Sequence, residues 1–333
     1  MKPKDLSEYL QFAIRNNFPV LITGKPGIGK SDIATQAAIA AEAELIISHP
    51  VVSDPTDYKG LPFPTKNGTA DFLPYGELHQ IITAQKKTVF FLDDLGQAPA
   101  SVQAACMQLL LARQINGHQI SDQVTFIAAT NRREDKAAVS GLLEPVKSRF
   151  AAIVELEVDT DDWVKWALAH HMPTELIAFV RFRPELLDNF EPTKEIRNSP
   201  TPRTIAFVGK QITAGLPEKF EFEAFKGAAG EAFAIEYRAF LKLYRQLPSL
   251  EEIVLNPTGA PVPTEPGALF AISSALAHKM TDQNIDAICM YLDRLPVENS
   301  VSCMKDAVTR NSSICNNRAF IEWEASSAAG ILI

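Results

Sequence analysis

Eight residues near the N-terminus constrain the fold of this chain more than any other stretch. Residues 24–31, GKPGIGKS, lie between a short apolar segment at 19–23 and a segment rich in helix formers at 31–43. They fit the pattern G-x-x-x-x-G-K-[ST] in the strand-loop-helix context that this pattern requires. The sequence therefore predicts a loop that wraps around phosphate groups, followed by a helix whose N-terminus favours negative charge.

This loop supplies most of the predicted nucleotide-binding residues. The Lys30 ammonium is expected at the β- and γ-phosphates, and the Ser31 hydroxyl is expected to bind Mg²⁺. The full predicted set is Gly24, Lys25, Pro26, Gly27, Ile28, Gly29, Lys30, Ser31 and Asp32.

Apolar runs that alternate with helix-forming segments define the rest of the first half. Short apolar strands are predicted at 19–23, 45–48, 88–94, 124–131 and 153–158. Five such strands separated by helices predict an α/β fold with a doubly wound, parallel, five-stranded sheet. The core is expected to span residues 1–158, followed by an α-helical lid at 159–246 and a helical C-terminal extension at 247–333. The proline-rich start of that extension, 247–268, is typical of a linker or of an irregular crossing.

Composition excludes several classes of protein. The chain has 333 residues with 46% hydrophobic and 22% charged side chains, which is typical of globular domains. No apolar run approaches the ~18 residues that a membrane helix needs, and the N-terminus lacks the apolar core of a signal peptide, so a cytoplasmic protein without a membrane partner is expected. Its four cysteines form no CxxC pair, which argues against a metal or redox site. The net charge of −8 makes nucleic acid an improbable partner.

Two aspartates end the predicted strand at 88–94. A nucleotide site needs a carboxylate at a strand end to hold Mg²⁺, and Asp93 fits that role. Asp94 is then the candidate base for the attacking water. The alternative for Asp94 is a helix-capping or solvent-facing acid.

The polar end of the next strand provides a third candidate. Asn131 ends the predicted strand at 124–131, which should lie beside the strand that ends in Asp93. An amide at that place could help to position the attacking water near the γ-phosphate, by the geometry of the switch point in such sheets. The alternative is an asparagine that starts a turn.

A long segment rich in Pro, Gly, Asp and Thr interrupts the core at 49–76. Residues 66–69, KNGT, predict a hairpin turn within it. Loops of this length inside compact domains are usually functional or disordered. Its aromatic residues Phe63, Phe72 and Tyr75 could pack the segment's own small core.

Taken together, these motifs resemble the AAA+ ATPases, and most closely the MoxR-like group. The resemblance covers roughly the first two-thirds of the chain, in the right order, and no established module is recognised beyond about residue 246. The matching stretches are GKPGIGKS (24–31), SDPTDYKGLPFPTKNGTADFLPYGELHQII (53–82), VFFLDDLGQAPASVQAACMQLLLARQI (89–115), FIAATNRRED (126–135), LLEPVKSRF (142–150) and SPTPRT (199–204).

The resemblance implies roles for three polar residues outside the phosphate loop. Asn131 is similar to the polar sensor of the family, and Arg203 to the second sensor in the helical lid. Arg149 resembles the arginine finger that reaches the nucleotide of a neighbouring subunit, although Arg132 or Arg133 could serve instead. For both Arg149 and Arg203 the alternative is a surface arginine near a helix end.

The resemblance also implies a function and partners. It suggests an ATP- and Mg²⁺-dependent ATPase that forms a ring, expected to be a hexamer, and that remodels a protein partner in a chaperone-like way. It also implies that the insert at 53–76 projects towards the pore of that ring, where Phe63, Phe72 and Tyr75 would grip a partner chain instead of packing the insert's own core. Relatives of this kind are often teamed with proteins bearing a von Willebrand factor A domain. The family's usual Asp-Glu pair is Asp93-Asp94 here, so the alternative is a nucleotide-switched assembly module with slow or no hydrolysis. A DNA-associated loader conflicts with the acidic charge balance.

Overall fold

The computed structural model describes residues 1–135 and 141–326. Contacts between residues divide the chain into two compact units, Met1–Asp159 and a second unit from Thr160 onward. The first unit contains both strands and helices, and the described part of the second is helical.

The first unit is built on a parallel sheet. Its strands are β1 (Val20–Gly24), β2 (Glu44–Ser48), β3 (Leu61–Pro64), β4 (Ala70–Leu73), β5 (Thr88–Leu92), β6 (Gln114–Ile115), β7 (His118–Gln119), β8 (Val124–Asn131) and β9 (Ala152–Glu155). Five of them form one sheet in the order β2-β5-β8-β1-β9, and every pair in it is parallel. The predicted five-stranded parallel sheet is therefore confirmed.

Both faces of this sheet are buried. On one face the rings of Phe90 and Phe126 pack edge to face with their centroids 5.9 Å apart. On the other face Phe91 and Ile127 belong to a separate apolar cluster. Burial on both sides explains why β5 and β8 are continuous apolar runs rather than alternating ones.

Helices cover both faces and connect the strands of the first unit. They are α1 (Pro3–Arg15), α2 (Lys30–Ala40), α3 (Pro55–Lys59), α4 (Gly76–Thr83), α5 (Ala100–Ala112) and α6 (Glu144–Lys147). α1 buries Leu6, Leu10 and Ile14 at helical spacing, and it packs on α2. α2 follows β1 after a short loop, so its N-terminus lies at the carboxyl edge of the sheet.

The segment at 49–76 folds into a short helix and a hairpin. β3 and β4 pair antiparallel, and the Thr65 N–H donates to the Thr69 carbonyl at 2.8 Å across the turn. The predicted hairpin turn is therefore confirmed. The helix α3 was not predicted from the sequence, although it begins with a capping box between Asp54 and Asp57 and has proline in its first turn.

A second, smaller hairpin was also missed. β6 and β7 pair antiparallel around Asn116 and Gly117, whose φ angles of 47° and 85° are left-handed. An Asn-Gly pair between strands is the usual signature of this turn. The Asn116 amide donates to the Lys59 carbonyl at 2.8 Å, and His118 Nε2 lies 2.8 Å from the Phe72 carbonyl, so this hairpin contacts the larger one.

The second unit packs helices around aromatic side chains. Its helices are α7 (Thr160–Ala169), α8 (Thr174–Phe182), α9 (Pro202–Thr213), α10 (Glu221–Ala229), α11 (Glu231–Tyr244), α12 (Leu250–Leu255), α13 (Pro266–Lys279), α14 (Ile285–Leu292), α15 (Val297–Arg310) and α16 (Arg318–Ser326). The Phe179 ring contacts Phe233, Tyr237 and Phe240 with centroids 4.9 to 5.5 Å apart.

Helices from both sides of residue 246 pack on one another. α8 packs against α13, and Phe182 and Phe270 lie 6.1 Å apart at that contact. Arg181 forms a bidentate ion pair with Asp306, which joins α8 to α15. The proline-rich segment at 247–268, predicted as a linker, contains α12, whose Ile253 is fully buried. The last seven residues of the predicted extension, 327–333, lie outside the described residues.

Across the described ranges, the helices are all too short or too polar to cross a membrane.

Candidate functional site

Two glycines shape the loop between β1 and α2. Gly29, the residue before α2, has a φ of 94°, a conformation that side chains rarely adopt. A Cβ on Gly24 would lie 2.6 Å from Ile28 Cδ1 and 3.0 Å from the Leu156 carbonyl oxygen. The loop can therefore turn tightly onto the N-terminus of α2, where unpaired N–H groups and the helix dipole favour an anion.

The Lys30 side chain folds back over this loop. Only 7% of its surface is exposed. Its ammonium donates to the carbonyl oxygens of Gly24 at 3.0 Å and Lys25 at 2.8 Å, and to Asn131 Oδ1 at 2.7 Å. The three acceptors are neutral oxygens, which pair with a buried ammonium less strongly than charged ones. Phosphate oxygens could therefore replace them when a nucleotide binds.

Asn131 connects the loop to the acidic strand end. β1 and β8 are paired so that Gly24 and Asn131 are register partners. The Asn131 Oδ1 accepts from Lys30, and its Nδ2 donates to Asp94 Oδ1 at 3.3 Å. The predicted sensor amide therefore lies between the loop lysine and the candidate base.

Ser31 and Asp93 form the second polar pair of the site. The Ser31 hydroxyl donates to Asp93 Oδ2 at 2.8 Å. The Asp93 backbone N–H donates to the Ser48 carbonyl at 2.9 Å, which fixes the end of β5 beside the end of β2. Mg²⁺ in nucleotide sites is usually bound by one or two protein oxygens, with water and phosphate oxygens as the remaining ligands. The Ser31 hydroxyl and the Asp93 carboxylate are protein oxygens of this kind.

Asp94 has an unusual backbone conformation. Its φ of 55° and ψ of 34° are left-handed, which is uncommon for a residue other than glycine. It precedes a turn at Leu95–Gln97 but makes no side-chain cap hydrogen bond to it. Its carboxylate instead accepts from Asn131. This argues against a capping role. The role of base and the alternative of a solvent-facing acid both stay predictions, and strained backbone is often found at functional sites.

These residues fit a magnesium-bound nucleotide. The loop offers an anion cradle, Lys30 a cation for phosphate, and Ser31 with Asp93 two oxygen ligands for Mg²⁺. Within residues 1–135 and 141–326, no group of three or more His, Cys, Asp or Glu side chains could hold a metal by itself. The donor set therefore suits a metal that enters together with phosphate groups.

Arg132 is bound inside its own subunit. Its guanidinium donates to both carboxylate oxygens of Asp135 at 2.9 and 3.0 Å and to Glu155 at 2.9 Å, and it pairs with Glu134 at 3.0 Å. The hydrogen bonds to Asp135 are the largest cause of a raised Arg132 pKa. An arginine held in this way is poorly suited to reach a neighbouring subunit.

Arg149 lies just after α6 and is held more loosely. Its Nη1 donates to Ser148 Oγ at 2.6 Å. Its Nε is buried and has no hydrogen-bond partner among the described residues. Of the two arginines Arg132 and Arg149, the latter better fits a residue that acts on a neighbouring subunit, and its role as finger stays a prediction.

Arg203 belongs to the second unit. It is exposed in the first turn of α9, after a capping box in which Thr201 and Thr204 exchange hydrogen bonds at 2.8 and 3.2 Å. Its role as second sensor also stays a prediction.

The aromatic residues of the insert fall into two groups. Phe63 is 57% exposed and Phe72 is 37% exposed, on opposite faces of the β3–β4 hairpin. Tyr75, in contrast, donates to Asp57 Oδ1 at 2.6 Å, and this hydrogen bond is the largest cause of its raised pKa. The geometry thus favours a structural role for Tyr75 and leaves Phe63 and Phe72 available to a partner.

Two buried polar residues, at the end of β2 and on α3, were not predicted from the sequence. Ser48 and Tyr58 are 1% and 2% exposed, and their hydroxyl oxygens lie 2.8 Å apart. Nothing in the sequence relates a serine that ends β2 to a tyrosine in a loop-like insert. The contact appears only once the insert is folded.

A family model matches the part of the chain that carries this site. Residues 20–158 match the model described as "ATPase family associated with various cellular activities (AAA)". The similarity is to an AAA-family ATPase domain, and it covers residues 20–158, less than half of the chain. A search of curated proteins found no significant match.

Solved structures with a similar fold include two bacterial proteins. One is RuvB from Thermotoga maritima, described as a Holliday junction branch migration motor, with 20% identity over 82% of this chain and 80% of that chain and a TM-score of 0.40. Another is NtrX from Brucella abortus in complex with ADP, with 12% identity over 99% of this chain and 66% of that chain and a TM-score of 0.43. At these TM-scores, the two likenesses add nothing to the family match.

Proposed function

We propose that this AAA-like domain binds ATP with Mg²⁺ and hydrolyses it, and that the chain is a MoxR-like ring ATPase that remodels or activates a protein partner. The observation that carries the proposal is one chain of contacts, from Lys30 through Asn131 to Asp94, beside the Ser31–Asp93 pair. One edge of the sheet thus brings together a cation that can bind phosphate, a pair of oxygen ligands for a metal, an amide and a carboxylate base.

Each of these residues has a distinct part in the proposed hydrolysis. Lys30 neutralises charge on the terminal phosphate groups, and Ser31 and Asp93 hold the metal. Asp94 accepts the proton of the attacking water, and Asn131 fixes the orientation of the Asp94 carboxylate through its amide. A bound metal would stabilise the negative charge that develops on the ADP leaving group.

A second candidate function rests on the length of Asp94. Its side chain is one methylene shorter than glutamate, and Asn131 already holds its carboxylate at 3.3 Å. If that contact persists with nucleotide bound, hydrolysis is slow and ATP acts as a switch for assembly. Asp94→Glu separates the two candidates, because it lengthens the side chain by one methylene. If the protein is a slow switch, the variant should hydrolyse ATP faster than wild type. If Asp94 is already a working base, the rate of hydrolysis should change by less than about tenfold.

The proposed ring makes a prediction about Arg149. If Arg149 completes the site of a neighbouring subunit, Arg149→Ala should lower hydrolysis by about 10³-fold and leave nucleotide binding unchanged. Arg15→Ala is the matched control, because Arg15 is an exposed arginine of the same unit in the last turn of α1, with no proposed role in the site. Hydrolysis by Arg149→Ala at the wild-type rate would remove this assignment.

A mixing experiment tests whether the finger acts between subunits. Lys30→Ala subunits retain Arg149 and Arg149→Ala subunits retain Lys30, so a mixed ring contains complete sites at some interfaces. We expect the mixture to recover activity that neither variant has alone. No recovery, with both variants shown to assemble together, would place Arg149 outside the shared site.

The partner can be sought with a variant that is arrested with ATP bound. Asp94→Asn retains the Lys30 and Ser31 contacts and lacks the base, so it should hold the engaged state. Affinity capture on this variant with ATP, compared with Lys30→Ala as control, should enrich a protein partner. We expect a protein with a von Willebrand factor A domain, from the MoxR-like resemblance.

A further inference from the structure

A closed set of hydrogen bonds lies between Asp93 and the insert. The Asp93 N–H donates to the Ser48 carbonyl at 2.9 Å, and Ser48 Oγ lies 2.8 Å from Tyr58 Oη. Tyr58 Oη donates to Ser53 Oγ at 3.3 Å, and Ser53 Oγ donates to the His49 carbonyl at 2.9 Å. The end of β5 is therefore connected to Tyr58 and Ser53 of the insert through the main chain and the side chain of one residue, Ser48.

The direction of these bonds follows from the donors available. Since Tyr58 gives its proton to Ser53, the Ser48 hydroxyl must donate to Tyr58. Burial raises the pKa of Tyr58 to about 12, so its hydroxyl stays neutral in all ordinary buffers. The Ser48–Tyr58 bond is thus not broken by ionisation of the tyrosine, and its deletion leaves a buried polar group without its partner.

Tyr58 lies on α3, and α3 holds both ends of the larger hairpin. The Asp57 carboxylate accepts from the Asp54 N–H at 2.8 Å and from the Tyr75 hydroxyl at 2.6 Å. Gly60, which ends α3 with a φ of 85°, packs so closely that a Cβ would lie 2.8 Å from the Leu73 carbonyl oxygen. A displacement of α3 must therefore carry the hairpin with it.

We infer that Tyr58 is a positioning residue that couples Asp93 to the β3–β4 hairpin. When Asp93 changes its contacts on binding of a magnesium nucleotide, the Ser48–Tyr58 hydrogen bond transmits that change to α3. The exposed Phe63 and Phe72 then shift with α3. The inference rests on the proposed function, and it names how that site controls the surface offered to a partner.

Coupling of this kind is reciprocal. A nucleotide that biases the hairpin is itself bound more tightly or more weakly when the hairpin is held in one state. Loss of the Tyr58 hydroxyl should separate the two events while leaving each intact. Nucleotide affinity should accordingly stay within about threefold of wild type, because Tyr58 itself contacts no residue of the phosphate loop.

The test compares hydrogen exchange with and without a non-hydrolysable ATP analogue and Mg²⁺. The variants of the full chain are Tyr58→Phe, Ser48→Ala and the double variant. Tyr291→Phe is the matched control, since Tyr291 is fully buried and donates one hydrogen bond to the Pro261 carbonyl at 2.6 Å in the second unit. Nucleotide affinity is measured in parallel by fluorescence of a labelled analogue.

In wild type we expect the analogue to change the exchange rate of amides in 61–73 by about fivefold. This is the change in an equilibrium constant that corresponds to the free energy of one buried hydrogen bond, about 1 kcal/mol. Tyr58→Phe and Ser48→Ala should each abolish that change and still bind the analogue. The double variant should lose no more than either single variant, because both remove the same bond. Tyr291→Phe should respond like wild type.

Three results would overturn the inference. A Tyr58→Phe protein whose hairpin still responds to the analogue would show that the coupling does not pass through Tyr58. A wild-type protein that binds the analogue with no change in 61–73 would show that no coupling exists. Failure of wild type to bind any nucleotide in the parallel measurement would remove the proposed function first and the inference with it.

Discussion

The phosphate-loop edge and the β3–β4 hairpin are built in opposite ways. At the edge, Lys30 is 7% exposed and its ammonium has three oxygen acceptors within 3.0 Å. In the hairpin every residue of both strands is exposed, including Phe63 at 57% and Leu73 at 49%. One region thus satisfies its polar groups internally, and the other leaves apolar groups uncovered.

This difference separates chemistry from recognition. A site whose side chains are already held by one another can act on a small ligand with little rearrangement. An exposed apolar hairpin without a core of its own gains most from contact with another surface. Substitutions at the edge should therefore alter hydrolysis, and substitutions at the hairpin should alter the response to a partner.

The largest effect is expected at the edge. Lys30→Ala removes the cation that faces the phosphate groups, and it should lower ATP hydrolysis by at least about 10²-fold. Lys86→Ala is the matched control, because the Lys86 side chain is 78% exposed and pairs with Glu44 at the other end of the sheet. Phosphate release by the two purified variants gives the measurement, and an equal fall in both would contradict the account of the edge.

The next prediction compares one buried and one exposed phenylalanine. Phe90→Ala should lower the free energy of unfolding of the first unit by about 3–5 kcal/mol, because it opens a cavity against Phe126. Phe63→Ala should change it by less than about 0.5 kcal/mol, because Phe63 is 57% exposed. Chemical denaturation measures both. A loss above about 2 kcal/mol for Phe63→Ala would mean that the hairpin has a core after all.

The smallest effect on basal activity is expected from the hairpin. The double variant Phe63→Ala/Phe72→Ala should hydrolyse ATP within about twofold of wild type, because neither residue contacts the edge. Its response to the captured partner should be lost. Tyr75→Phe is a useful comparison, because it loosens the hairpin at Asp57 without removing an exposed ring. A double variant that still responds fully would exclude Phe63 and Phe72 as partner contacts.

The sheet and the phosphate loop could be predicted because their signals are local. The continuous apolar runs of β5 and β8 reflect burial on both faces, and residues 24–31 need glycine at fixed positions whatever lies around them. The contact between Asn131 and Asp94 follows from β5 and β8 being parallel neighbours that end at one edge of the sheet. For the same reason, Asn116 and Gly117 carried a local turn signal that could have revealed the second hairpin.

The remaining contacts join residues that are distant in sequence or ambiguous in type. Glu155 binds Arg132 from 23 residues further along the chain, and no spacing rule predicts that contact. Ser48 and Tyr58 meet only because α3 folds inside a segment that looks like a loop. The left-handed backbone of Asp94 likewise depends on the end of β5 and the turn that follows it.

The most direct test of the central claim is phosphate release by wild type and by Asp94→Asn, with ATP and Mg²⁺ and with nucleotide binding measured on the same samples. We expect wild type to hydrolyse ATP and Asp94→Asn to hydrolyse it about 10²-fold more slowly, or slower still, while both proteins bind ATP. Equal turnover in both, or ATP binding without turnover in wild type, would contradict that claim.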